Sequence, residues 1–79
     1  MRVVKEIVHP VCKITIFQWN NRYIIKLEET HLEQTFKIDA LDITDESDLQ
    51  KIIDQIFIEQ ASSRFAEMAR SLQEALQRS

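Results

Sequence analysis

Val11-Cys12-Lys13-Ile14-Thr15-Ile16-Phe17-Gln18-Trp19-Asn20-Asn21-Arg22-Tyr23-Ile24-Ile25-Lys26-Leu27-Glu28-Glu29 is the stretch that decides the fold. Two runs rich in β-branched and aromatic residues are joined by two asparagines. Asn tolerates the left-handed backbone that a two-residue hairpin turn needs. With Asn20-Asn21 as the turn, Trp19 faces Arg22, Phe17 faces Ile24, Thr15 faces Lys26 and Lys13 faces Glu28. The opposite face carries Cys12, Ile14, Ile16, Tyr23, Ile25 and Leu27, an ordinary core set. The first face is unusual for a solvated one, because Phe17, Trp19 and Ile24 stand among Lys13, Arg22 and Lys26.

Working outward, Thr30-His31 reads as a second two-residue turn. It pairs Glu29 with Leu32, Ile25 with Phe36 and Tyr23 with Ile38. Leu32, Phe36 and Ile38 then join the core face, and Glu33, Thr35 and Lys37 the outer one. One register sorts three strands, which predicts a meander. Val3 to Val8 reads as a further strand, separated from Val11 by a bend at His9-Pro10, since proline cannot donate to a ladder. Its neighbour in the sheet is left open.

Asp39 to Ile43 is a connector, with Leu41 and Ile43 expected beneath the sheet. Thr44 is the expected helix N-cap, followed by Asp45, Glu46 and Asp48 at the positive helix end. From there to Gln77 the apolar residues Leu49, Ile52, Ile53, Ile56, Phe57, Ala61, Phe65, Met68, Ala69, Leu72 and Leu76 keep helical spacing. A helix of about 32 residues spans roughly 48 Å, whereas a strand of about eight spans roughly 27 Å. Either the helix breaks near Gln60-Ala61-Ser62-Ser63 or its second half projects past the sheet. The expected fold is α+β, a single domain over residues 1–79. Residues 1–38 form an antiparallel meander of three to four strands, and residues 44–77 a long or once-broken helix on one sheet face. The expected core is Ile14, Ile16, Tyr23, Ile25, Leu27, Phe36, Ile38, Leu49, Ile52, Ile53 and Ile56.

Composition narrows the function. Seventy-nine residues give a marginal single core, for which self-association is a common remedy. Glycine is absent, which excludes a glycine-rich phosphate loop and a G-x-S-x-G nucleophile elbow. Cys12 is the sole cysteine, so no disulfide forms within one chain. Lys5 and Glu6 interrupt the only apolar stretch near the start, so neither a secretory signal nor a membrane span is expected and a reducing, cytoplasmic setting is. The net charge of −3 is uneven. Residues 1–38 carry six basic and four acidic side chains, and residues 39–79 four basic and nine acidic.

Three groups invite a chemical reading. Cys12, His9 and His31 fall near one end of the sheet, and a thiol beside imidazole is the smallest nucleophilic pair. A core cysteine, a bend histidine and a solvated turn histidine account for them better, because no oxyanion-hole loop or third orienting group accompanies them. Asp39, Asp42, Asp45, Glu46 and Asp48 lack the alternate spacing and glycine of a calcium loop. No catalytic residue, metal or cofactor is expected. The outer face is the third group: aromatic residues flanked by cations stack single-stranded bases in several folds.

The order of strands followed by one long helix is similar to that of the PUR and Whirly single-strand-binding domains, whose sheet faces meet nucleic acid. The likeness is of element order, and it carries no residue role with it. Two functional expectations stand. The first is a small non-enzymatic interaction module, homodimeric through the helix, the outer sheet face or both, or else bound to another protein, with Phe17, Trp19, Ile24, Phe65, Met68 and Leu72 at the interface. The second is a single-stranded nucleic-acid-binding domain using Lys13, Phe17, Trp19, Arg22, Lys26 and Lys37.

Overall fold

A computed structural model describes residues 1–79. Four strands, β1 (Arg2–Val8), β2 (Lys13–Trp19), β3 (Arg22–Glu28) and β4 (Glu33–Asp39), are followed by two 3-10 turns, Ala40–Asp42 and Glu46–Asp48. A single helical turn α1 (Leu49–Ile52) and a long helix α2 (Gln55–Arg78) complete the chain. The sheet is an antiparallel meander in the order β1-β2-β3-β4, so the fold is α+β. Asn20 and Asn21 both adopt positive φ, 49° and 59°, as a type I′ turn requires. The register runs Lys13–Glu28, Thr15–Lys26, Phe17–Ile24 and Trp19–Arg22 across β2 and β3. Tyr23–Ile38 and Ile25–Phe36 are the matching pairs across β3 and β4. These are the pairs that the turn residues dictate.

β1 lies beside β2, with an irregularity between Val3 and Lys5. The extra residue shifts the alternation. Ile7 opposes Ile14, while Val3 opposes Phe17 and so lands on the outer face. At the His9-Pro10 bend, the His9 N–H donates to the Cys12 carbonyl at 3.1 Å. The Val11 N–H donates to Nδ1 of His9, also at 3.1 Å.

The helical region differs from the expectation in three ways. No helix starts at Thr44; Asp45 instead accepts from the Ser47 N–H at 3.1 Å and caps a 3-10 turn. The chain then breaks at Ile53-Asp54, not at Gln60–Ser63, because extended Asp54 accepts the Phe57 N–H at 2.8 Å and caps a new helix. Ser62 and Ser63 lie inside continuous α2. The restart resets which residues face the sheet. Ile52 and Ile56 leave the core, Ile56 being 64% exposed, and Leu41 is exposed as well. Ile58, Ala61 and Phe65 take their place beside Leu49, over Cys12, Ile14, Ile16, Tyr23, Ile25 and Leu27. Phe36, Ile38, Ile43 and Ile53 pack half-buried around that cluster.

One polar residue fixes where α2 sits. Gln34 is buried on the core face of β4. Its Nε2 donates to the Ala61 carbonyl at 2.9 Å, and its Oε1 accepts from Nε of Arg64 at 2.8 Å. Ala61 has no side chain beyond Cβ, so the helix comes close enough for this bond. The Arg64 guanidinium then rests 5.5 Å over the Phe36 ring, and Phe36 meets Phe57 at 5.2 Å. With both ends of a buried amide satisfied, any slide of α2 strands a polar group.

Candidate interaction surfaces

From Ile58 onward, α2 carries a seam of alternating three- and four-residue steps: Ile58, Ala61, Phe65, Met68, Leu72 and Ala75. That spacing keeps one stripe on one side of the helix. The first half of the seam is buried on the sheet. A helix of this length runs roughly 36 Å and a seven-residue strand roughly 24 Å, so the second half passes beyond the sheet at the Thr30-His31 end. Met68 is half-buried there, whereas Leu72 is 48% and Leu76 65% exposed. Two grooves flank this overhang and share Leu32 and Leu72. One, of about 260 Å³, runs between the Glu29–Leu32 turn and Ala69, Leu72 and Leu76. The other, of about 590 Å³, lies along Met68, Ser71, Leu72 and Ala75.

Phe65 is not part of this surface. It is 2% exposed and sits in the chain's own core, so the interface set expected from sequence loses it. The signal that could have moved it is Asp54, whose capping of α2 slides the buried half of the seam along the chain. Leu76, which the helical spacing places on the projecting stripe but not in the expected interface set, lines the first groove, and Leu32, expected on the core face, lines both.

The outer sheet face is a second surface. α2 covers the opposite face, so this one is open. Val3, Phe17, Trp19 and Ile24 gather at its Asn20-Asn21 end, with Phe17 and Ile24 half-buried and Trp19 49% exposed. The cations grouped around them divide in two. Lys13 pairs with Glu6 at 3.8 Å, and Lys26 with Glu33 at 3.2 Å and Glu28 at 4.0 Å. Arg22 and Lys37 form no ion pair and flank the apolar cluster, with Asp39 opposite Arg22. Counted over the register, the face holds four cations (Lys13, Arg22, Lys26, Lys37) and four carboxylates (Glu6, Glu28, Glu33, Asp39).

Cys12 and His9 have structural roles. Cys12 is buried in the core, and burial, then the charge of Glu29, pushes its thiol above the ordinary value of 9.0. That is the opposite of nucleophile activation, which needs a lowered thiol pKa. His9 serves the bend, and His31 is exposed on its turn. Nowhere do three or more His, Cys, Asp or Glu side chains converge as metal ligands would. Within the acidic run, Asp45 caps the Glu46–Asp48 turn, and Asp48 pairs with Lys51 at 3.1 Å. Glu46 pairs with Arg2 at 2.7 Å, which raises the Arg2 pKa through that hydrogen bond and charge. No helix is long and apolar enough to cross a membrane. Compared with known protein families, curated proteins and solved structures, the chain matches none.

Proposed function

We propose that this protein is a small non-enzymatic interaction module that works as a homodimer through the overhanging end of α2. One observation carries the reading: a seam continuous with the core emerges uncovered, presenting Leu72 and Leu76 beside two grooves that share Leu32. Exposed apolar surface of this kind marks association sites. Sedimentation equilibrium at tens of micromolar tests it. The expected mass is that of two chains, and Leu72→Glu with Leu76→Glu returns it to one chain with unchanged circular dichroism. A single-chain mass for the unaltered protein ends the reading.

A second reading is supported by the open outer face, with exposed Trp19 beside Arg22 and Lys37. It is single-stranded nucleic-acid binding, with Phe17 and Trp19 stacking on bases and Lys13, Arg22, Lys26 and Lys37 toward phosphates. The pairing of Lys13 and Lys26 with carboxylates, and the balanced charge of the face, weigh against it. Titrating mixed-sequence single strands while following Trp19 emission separates the two. Quenching that reverses with added salt favours nucleic acid, and emission that ignores the strands favours the interaction module.

A further inference from the structure

β4 is an outer strand of the sheet, and its free edge is complementary to itself in charge. We infer that two copies pair along it, antiparallel about a twofold axis at Thr35, to make one continuous sheet from the two meanders; this rests on the homodimer reading above and gives the α2 overhang its occupant.

The backbone of the edge is open to pairing. The Glu29 N–H donates to the Leu32 carbonyl and the Ala40 N–H to the Asn21 carbonyl, both at 2.9 Å. Alternation between these two anchors turns the backbone groups of Gln34, Phe36 and Ile38 toward β3. Those of Glu33, Thr35, Lys37 and Asp39 point outward, as a template for a further strand. The other edge, β1, is interrupted at Val3–Lys5, and such irregularities guard against edge pairing. β4 keeps one unbroken register with β3 along its whole length.

Charge selects the register. A twofold axis normal to the sheet sets one residue against its own copy. Centred on Glu33 or Lys37, it opposes like charges directly. Centred on Phe36, it sets Glu33 against Asp39, and centred on Gln34, it joins no opposite charges. Centred on Thr35, it sets Glu33 against Lys37 of the partner subunit, twice by symmetry, and Asp39 against the partner's His31. Leu32 then opposes the partner's Ile38, both half-buried on the core face. Two threonines meet at the axis, a favourable cross-strand pair. Lys37 has no ion pair in its own chain to give up. Glu33 holds Lys26 through Oε2 at 3.2 Å, which leaves Oε1 for the partner's Lys37.

The same register fills the overhang. Phe57 meets Phe36 and Ala61 meets Gln34, so α2 runs antiparallel to β4. From Ala61 to Leu72 the helix rises about 17 Å. The partner's chain covers about the same distance from Phe36, which opposes Gln34, to Leu41. Leu41 is 98% exposed, and the pairing brings it level with the groove lined by Leu32, Met68, Ser71, Leu72 and Ala75. That groove opens on the β4 side, because Met68, Ser71 and Ala75 follow Arg64 at four- and three-residue steps and Arg64 overlies Phe36. Ile58, Ala61 and Phe65 pack in the cluster that holds Tyr23, Ile25 and Leu27 of β3, so α2 rests over the β3–β4 pair. The two α2 helices then stand roughly 10 Å apart across the axis, an ordinary packing distance. The contact is isologous and closes at two copies.

Charge exchange tests the register. Lys37→Glu and Glu33→Lys are prepared as separate chains. Each alone opposes like charges twice and should dimerise about tenfold more weakly than the unaltered chain in sedimentation equilibrium. Mixed one to one, they restore every Glu–Lys pair and should give the mass of two chains where neither does alone. Thr35→Cys should link to its own copy on oxidation, since facing Cα atoms about 5.5 Å apart suit a disulfide. Glu33→Cys should not, its copy lying roughly 14 Å along the strand. Unaltered protein, with its buried Cys12, is the control. Leu41→Glu should weaken the dimer as Leu72→Glu does, with the circular dichroism unchanged. A dimer with no gain on mixing, with no Thr35→Cys link, or indifferent to Leu41→Glu overturns the edge pairing and leaves the homodimer standing. Monomeric mass of the unaltered chain removes both.

Discussion

Gln34 shows how one residue sets the position of a whole helix. Its amide bridges the Ala61 carbonyl and Arg64, so Gln34→Leu removes two hydrogen bonds from a buried site while keeping side-chain volume. The expected loss is about 1–3 kcal/mol in urea denaturation; a change below about 0.5 kcal/mol, the range of an ordinary surface substitution, would show that the bridge is incidental. Cys12 supplies a pH signature. Its folded-state pKa is raised by burial, so the neutral thiol is favoured in the fold. As pH rises past the ordinary thiol range, the unfolded chain ionises first and becomes relatively more favourable. Stability from this group is therefore complete at neutral pH and declines above about pH 9, near the ordinary thiol value. Cys12→Ala should flatten that decline, measured as the difference in unfolding midpoint between pH 7 and pH 10. Thiol titration should likewise find Cys12 slow to react in the folded state and fast in denaturant.

At the scale of elements, Asp54 and the Ser62-Ser63 pair make opposite predictions. Asp54→Ala removes the cap of α2 and should cost about 1 kcal/mol. Ser62 and Ser63 are exposed inside a continuous helix, so replacing both with Ala should raise stability by up to about 1 kcal/mol. A loss on that double replacement would argue for a break at the serines after all. Phe65→Ala should destabilise by about 3–5 kcal/mol as a core truncation, whereas Leu72→Glu should leave the unfolding midpoint of the monomeric state nearly unchanged. The hairpins were legible in the sequence because a two-residue turn and a two-residue period are local facts, and Asn20-Asn21 fixed both. The irregularity at Val3–Lys5 was not, since adjacent valines give no alternation from which to read a face. Asp54 was hidden for a related reason. A polar residue on the outer side of a helical pattern looks the same whether it faces water or ends a turn. Its cap displaces α2 along the chain, and that displacement took Phe65 from the overhang into the core. The exposed stripe at Leu72 and Leu76 was legible as one of two alternatives, because the ratio of helix to strand length demands either a break or an overhang. Which residue begins it depends on a tertiary fact, the seating of Ala61 on Gln34.

At the scale of the whole molecule, the longest dimension of 46 Å against 26 and 19 Å reflects a helix that outruns its sheet. For the proposed homodimer, thermal stability should rise with protein concentration in the unaltered chain and not in Leu72→Glu with Leu76→Glu. The overhang emerges at the Thr30-His31 end, while Trp19 and its apolar neighbours stand at the Asn20-Asn21 end and on the opposite face of the sheet. Occupancy of one surface therefore leaves the other sterically free. Joined at their overhangs, two chains would hold two aromatic patches far apart on a stiff spacer. A target with a single docking point would gain nothing from that arrangement. One with two points at matching separation would be held through both at once, its second contact made at a high local concentration set by the distance between the patches.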